Sequence, residues 1–188
     1  MDVLNDFDRA AEAAKSVVDG VRAEQWGLPS PCAEWDVRGV VNHLVLGNLM
    51  AHAGMRGRQP PTDRSADYLG ADPYAAFADS LVACRAAFAE PGVLEKVVRT
   101  PLGEQQGVFY LHMRVNELLA HGWDIAAATG QSTDLAPELA KEALAIWQAR
   151  LGGRPRGGMP FGPEREAPAD GTEADRLAAF LGREVRRA

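Results

Sequence analysis

Cysteine is scarce: Cys32 and Cys84 are the two thiols in 188 residues. Two thiols do not staple a fold of this length, and reduced side chains in the cytoplasm are the expectation. Long hydrophobic runs are missing as well, and a bilayer span needs about 20 consecutive apolar residues. No membrane contact is therefore expected. The N-terminus, MDVLNDFDRAAEAA, lacks the basic start and apolar stretch of a secretory signal. A basic stripe is lacking too. The formal net charge is −6, and arginines are scattered among acids, which argues against nucleic acid as a partner. Cations cluster only in the closing GREVRRA, which reads as the C-terminal end of a helix. Histidine is rare, with four in the chain.

What is present describes a globular chain. Apolar residues make up 46% and charged residues 24%. The length suits one domain over residues 1–188, and neither a repeat nor a linker is visible. Apolar positions at helical spacing from Val3 to Val21 predict a first helix over about 3–24. Asp36 is a good N-cap for a second helix over 37–55. Asp72 and Pro73 start a third, reaching about Ala89. The β-branched LEKVVRTPLGEQQGVFY predicts a short hairpin or an extended crossover. A fourth helix follows over about 109–129 with Gly130 just past its end, and a fifth runs from Pro137 to before Gly152. Thr172 and Asp175 form a capping box before a short tail helix. The expected class is mainly all-α, a four-helix bundle with a C-terminal tail helix.

Two polar residues interrupt the fourth helix. Glu117 and His121 are four apart and point about 40° from each other. Met113, Ala120 and Ala128 lie within about 60° of Glu117, so this stripe is expected to be buried. A carboxylate there needs a partner. In the second helix His43 shares its face with Val40, Leu46, Gly47 and Met50. Gly47, one turn on, is expected to clear space beside the imidazole. Two imidazoles and one carboxylate from facing helices suit Zn²⁺ or a similar divalent ion and leave a coordination position open. Spacing alone also fits an ordinary Glu–His hydrogen bond with His43 as a satisfied core residue. His52 and His112, each nine residues from one of the pair, fall on the opposite faces.

The segments SPCAEWDVRGVVNHLV, RVNELLAHGWDIAAATGQ and FGPEREAPADGTEADRLAAFLGRE resemble a family of actinobacterial metal-binding proteins. That family is related to the N-terminal domain of mycothiol-dependent maleylpyruvate isomerase, within the DinB/YfiT-like superfamily. The resemblance runs over nearly the whole chain. It implies a DinB/YfiT-like four-helix bundle with His43, Glu117 and His121 as metal ligands, for Zn²⁺ or another divalent ion such as Ni²⁺. It also implies mycothiol, a low-molecular-weight thiol, as cosubstrate and a small electrophilic molecule as substrate. The isomerase carries a further C-terminal domain that contributes to its active site. The expectation here is therefore the metal platform without maleylpyruvate isomerisation. A homodimer is left open.

Neighbouring residues give secondary expectations. Arg114 lies about 20° from His121 on the wheel, so it either holds a substrate carboxylate or pairs with Asp124 or another acid. Tyr110 is either an acid or a packing residue. Asp124 is a candidate to orient His121, at a spacing awkward for the correct ring nitrogen. Trp35 and Trp123 are expected to pack around the site, and Cys32, ahead of a helix, to have some thiolate character. The leading function is a metal-dependent thiol S-transferase or isomerase. The alternative, a non-enzymatic metal- or ligand-binding module, requires the tail to cover the metal. A di-iron site lacks the extra carboxylates it needs.

Overall fold

Side chains at the helix starts set most of the element boundaries. In the computed structural model, which describes residues 2–100, 103–151, 153, 156 and 161–185, Asp2 caps helix α1 (Val3–Asp19) by accepting from the Leu4 N–H. Asp36 caps α2 (Val37–Met55) at the Gly39 N–H, and Asp72 caps α3 (Pro73–Phe88) at the Ala75 N–H. Strands β1 (Val97–Thr100) and β2 (Gly103–Gln106) pair antiparallel, with Val97 opposite Gln106. The hairpin runs straight into α4 (Gly107–Thr129), two residues earlier than the periodicity alone marks. Gly107 permits this, since a Cβ there would collide with the Val93 carbonyl. Gly130 ends α4 in the left-handed region, at φ 70°. Then come α5 (Pro137–Leu151) and α6 (Glu173–Phe180), the latter opened by the Thr172–Asp175 capping box.

Helix α1 stops at Asp19, short of the expected residue 24. The Gly20 N–H closes the last turn and a 3₁₀ turn follows at Ala23–Gln25. The apolar pattern outlasts the helix because Val21 still turns into the core, while Gln25 donates to the Thr129 carbonyl.

The class is mainly helical, as the sequence indicates. Helix α1 packs on α4 and α3, and α2 packs on the same two, so the four long helices close a ring. Phe7, Leu44, Phe77, Phe88, Leu111, Leu118 and Ile125 fill its centre with almost no exposure. Burying such side chains is worth about 1.5–3 kcal/mol each. Helix α6 lies against α4 outside the ring, and the Trp123 indole N–H donates to Asp175 Oδ1 at 2.7 Å. Trp123 is thus a packing residue with a second task, tying the tail helix to the centre of α4. Among the described residues no helix is long and apolar enough to cross a membrane.

That tie is charge-assisted and buried, so Trp123→Phe is expected to cost about 1.5–3 kcal/mol. Urea unfolding measures it, and a change below about 0.5 kcal/mol would show that α6 is held by apolar contact alone.

Candidate metal centre

Helix α4 carries Arg114, Glu117, His121 and Asp124 at steps of three, four and three residues, which places all four along one side. Helix α2 faces them with His43 and Asn48. Two polar residues of α2 therefore meet Arg114, Glu117 and His121 of α4 inside a ring otherwise lined by leucine, valine and phenylalanine.

The histidines converge on one oxygen. His43 Nε2 lies 2.8 Å from Glu117 Oε2, and His121 Nε2 lies 3.6 Å from the same atom. His121 Nδ1 is 2.9 Å from Asp124 Oδ2, so Nδ1 donates there and Nε2 is left facing Glu117. The donor atoms of His43, Glu117 and His121 all lie within 4.8 Å of one another. His121 is buried, whereas the side chains of His43 and Glu117 are 29% and 36% exposed. The stripe through Glu117 was expected inside; Ala120 is buried, but Glu117, Met113 and Ala128 are only half-buried, so the stripe runs along the edge of the seam between α2 and α4.

The electrostatics favour positive charge between these groups. Partial burial pushes the Glu117 carboxyl up, but hydrogen bonds from His121 and His43 outweigh that and hold it well below the usual carboxylate range. Burial pushes His121 down, yet its bonds to Asp124 and Glu117 win and raise it to about 9. His43 is lowered, chiefly by burial. A pocket that retains a proton on this pattern of imidazole and carboxylate is chemically suited to a metal cation in its place.

The loop before α2 supplies one wall. The Ser30 hydroxyl donates to the Trp35 carbonyl at 2.7 Å, and the Trp35 N–H bonds the Cys32 carbonyl at 2.9 Å. Thus folded back on itself, the loop stacks Trp35 on His43, with centroids 4.5 Å apart and planes at 25°.

The structure corrects four expectations around this centre. Arg114 does not pair with Asp124. It is buried, and its Nη2 donates to Asn48 Oδ1 at 3.0 Å and to the Leu44 carbonyl at 3.3 Å. Gly47 does not chiefly make room for the imidazole; a Cβ there would come within 2.8 Å of Arg114 Cζ, so the glycine seats the guanidinium. Cys32 is not favoured as a thiolate, because burial and the nearby Asp124 push its thiol up against the lowering effect of Arg183. Of the closing arginines, Arg186 and Arg187 lie outside the described residues, and Arg183 does not simply complement a helix end. Arg183, past the end of α6, reaches Asp124 with Nη2–Oδ2 of 2.9 Å and Nε–Oδ1 of 3.2 Å. Helix periodicity gave no signal for that contact, since the residues are 59 apart and Arg183 is outside any helix.

The remaining candidates fall into place. Tyr110 is buried edge-on against Phe88, and burial pushes its hydroxyl up to about 12, so it packs. His52 is turned away, with Nδ1 2.9 Å from the Ala83 carbonyl of α3, and His112 is half-buried away from the three-residue set. Asp124, despite the short spacing, does meet the ring nitrogen that leaves Nε2 free.

Known proteins resemble this chain over most of its length. The sequence profile of the family described as mycothiol maleylpyruvate isomerase N-terminal domain matches residues 7–126. Two uncharacterized proteins of Mycobacterium tuberculosis, MT0763 of strain CDC 1551 and Rv0738 of strain H37Rv, are each 41% identical over 187 residues, covering 99% of this chain and all of theirs. The crystal structure of the mycothiol-dependent maleylpyruvate isomerase superposes with a TM-score of 0.62 at 15% identity, over 79% of this chain and 70% of that one. A histidine-to-alanine mutant of the isomerase gives a TM-score of 0.63 at 17% identity over the same shares. At those identities the likeness is one of fold.

Because Asn48 and the Leu44 carbonyl hold Arg114 through Nε and Nη2, Gly47→Ala is expected to destabilise by about 1–3 kcal/mol. In Gly47→Ala/Arg114→Met the flexible thioether should recover much of that loss, giving strong coupling in a double-mutant cycle. Additive losses would place the strain elsewhere.

Proposed function

The chain belongs to the mycothiol maleylpyruvate isomerase N-terminal domain family, and from that premise we propose that it is a metal-dependent enzyme of thiol chemistry. His43, Glu117 and His121 hold one divalent ion, Zn²⁺ first. The cosubstrate is a low-molecular-weight thiol, mycothiol by analogy with the isomerase that the family name describes. The second substrate is a small electrophile, and the reaction is an S-transfer or an isomerisation.

One observation carries the reading. Two imidazole Nε2 atoms and a carboxylate oxygen converge at an edge where His43 and Glu117 remain partly exposed. Three protein donors with access from outside suit a reactive metal, whereas a closed set of four suits a structural one. When bound, the ion would supply a Lewis acid that lowers the pKa of a thiol at its open position. The chain's own residues do the rest. Asp124 fixes the His121 ring, with Nδ1 as its donor, so that Nε2 stays aimed at the site. Trp35 walls the His43 side with an apolar face. Arg114 and Arg183 balance Glu117 and Asp124 in charge, so the site's residues leave a bound cation's charge free to attract an anionic sulfur. The thiol proton leaves to water at the open edge. In an S-transfer the sulfur–carbon bond forms as the electrophile's leaving group departs with its electron pair. In an isomerisation the sulfur adds to a conjugated carbon–carbon double bond, whose π pair moves onto the conjugated carbonyl; the resulting single bond rotates, the pair returns, and the sulfur–carbon bond breaks to release the thiolate. The same exposure speaks against the binding-module alternative, which needs a covered ion. Among the described residues, the tail reaches this centre at Asp124, through Arg183.

Purified protein is expected to carry about one divalent ion per chain, as three donors on two facing helices imply. His43→Ala and His121→Ala should lose it, while His52→Ala and His112→Ala should not. Elemental analysis checks all four, and a fully loaded His121→Ala protein would sink the assignment.

Glu117→Gln keeps the volume but makes a poor ligand. With Zn²⁺ present it should melt several degrees below wild type, and chelator should remove most of the gap. A gap that survives chelation unchanged would mean that Glu117 is only a hydrogen-bond partner. Consumption of mycothiol with an electrophile, abolished by chelator and restored by Zn²⁺, tests the chemistry itself.

A further inference from the structure

Cys32, His121 and Asp124 form a second group of donors, with ligand atoms within 4.8 Å of one another. It shares His121 with the set at Glu117. Thiolate, imidazole and carboxylate together make a donor set for zinc, and more so for ions that prefer sulfur. This group already has a cation. Arg183 places Nε and Nη2 at 3.2 and 2.9 Å from the two oxygens of Asp124, a carboxylate with no exposure. Its Nη1 is tied down at 3.2 Å from the Leu181 carbonyl, and its side chain is 11% exposed. The guanidinium's field also reaches Cys32 and Glu117.

We propose that Arg183 is the resident cation of the Cys32–His121–Asp124 group: it holds Asp124 against His121 Nδ1 and keeps this group from taking a metal ion of its own. The proposal rests on the metal reading above for what it protects, and it extends that reading to metal stoichiometry and selectivity. The physical reasons are three. Guanidinium charge is permanent, so it cannot be titrated away to admit another cation. Its fork engages both carboxylate oxygens, so an ion would have to break two charge-assisted hydrogen bonds to ligate Asp124. An ion at this group would also claim His121 Nδ1, the atom whose hydrogen bond presents Nε2 to Glu117. Excluding the second ion therefore preserves the first. Arg183 acts through Asp124, as a positioning residue that also sets selectivity.

The experiment is a Cd²⁺ titration of the full chain, followed by elemental stoichiometry and by the near-ultraviolet thiolate-to-cadmium charge-transfer band. Wild type should take one ion with no such band. Arg183→Gln should take a second ion and gain the band. Arg183→Gln/Cys32→Ser should lose both again, and Arg183→Lys, which keeps a charge but loses the fork, should take the second ion less tightly than Arg183→Gln. Arg183→Met serves as a second neutral variant, with far-ultraviolet dichroism of the metal-free proteins as the folding check. In wild type, Cd²⁺ should leave the alkylation rate of Cys32 unchanged, an arm that needs no substitution of Arg183. Cys84 is fully buried, with a thiol pushed up to about 12, and does not compete. A Cys32-dependent band in wild type, protection of Cys32 by Cd²⁺ there, or a neutral Arg183 variant that stays at one ion without the band would overturn the proposal. Wild type that binds no ion at all would refute the metal reading instead. The band in Arg183→Gln reports on sulfur alone, so the two failures are distinguishable.

Discussion

Everything at the centre of this protein depends on the hydrogen bond from His121 Nδ1 to Asp124 Oδ2. A histidine has two ring nitrogens, and which one faces outward is decided by what holds the other. Asp124 holds Nδ1, so Nε2 meets Glu117, and Glu117 in turn meets His43. Asp124 is buried completely, and a lone carboxylate there would be costly. Arg183 and His121 share it from two sides. Remove either partner and the other's position is no longer determined.

The arrangement also explains how one helix can serve both as core and as site. Leu111, Leu118 and Ile125 of α4 are entirely buried, as bundle packing requires. Arg114, Glu117, His121 and Asp124 repeat at the same three-and-four steps, offset around the helix. The polar row is a second seam parallel to the apolar one, and every member found so far has a named partner: Asn48 for Arg114, His43 for Glu117, Asp124 for His121, Arg183 for Asp124. A seam satisfied in this way adds specificity to helix register, since sliding α4 by one turn against α2 would break the Arg114–Asn48 and Glu117–His43 pairings.

Much of this was legible in the chain. Caps at Asp36 and Asp72, Gly130 and the Thr172–Asp175 box marked helix ends because those signals are local. The grouping of His43, Glu117 and His121 could be anticipated because periodicity fixes a side chain's direction on its own helix. What periodicity does not give is which neighbour it meets or how deep the meeting lies. Arg114 was aimed correctly but assigned the wrong partner, since Asn48 is on another helix. Glu117 was expected inside and is on an edge, because a helical wheel carries no information on where the bundle opens. Cys32 was judged by the helix that follows it, while its burial and the carboxylate of Asp124 come from distant chain. Arg183 was expected at the end of the tail helix, which stops at Phe180, so nothing local distinguished it from the arginines around it.

The stack of Trp35 on His43 has an optical consequence. An excited indole loses energy to a nearby charged or metal-bound imidazole more readily than to a neutral one, and here the rings are 4.5 Å apart. Trp35 is also half-exposed, while Trp123 is enclosed by α6. Emission from this one indole is therefore coupled to whatever happens at His43, so the protein carries an intrinsic chromophore for the state of its own site.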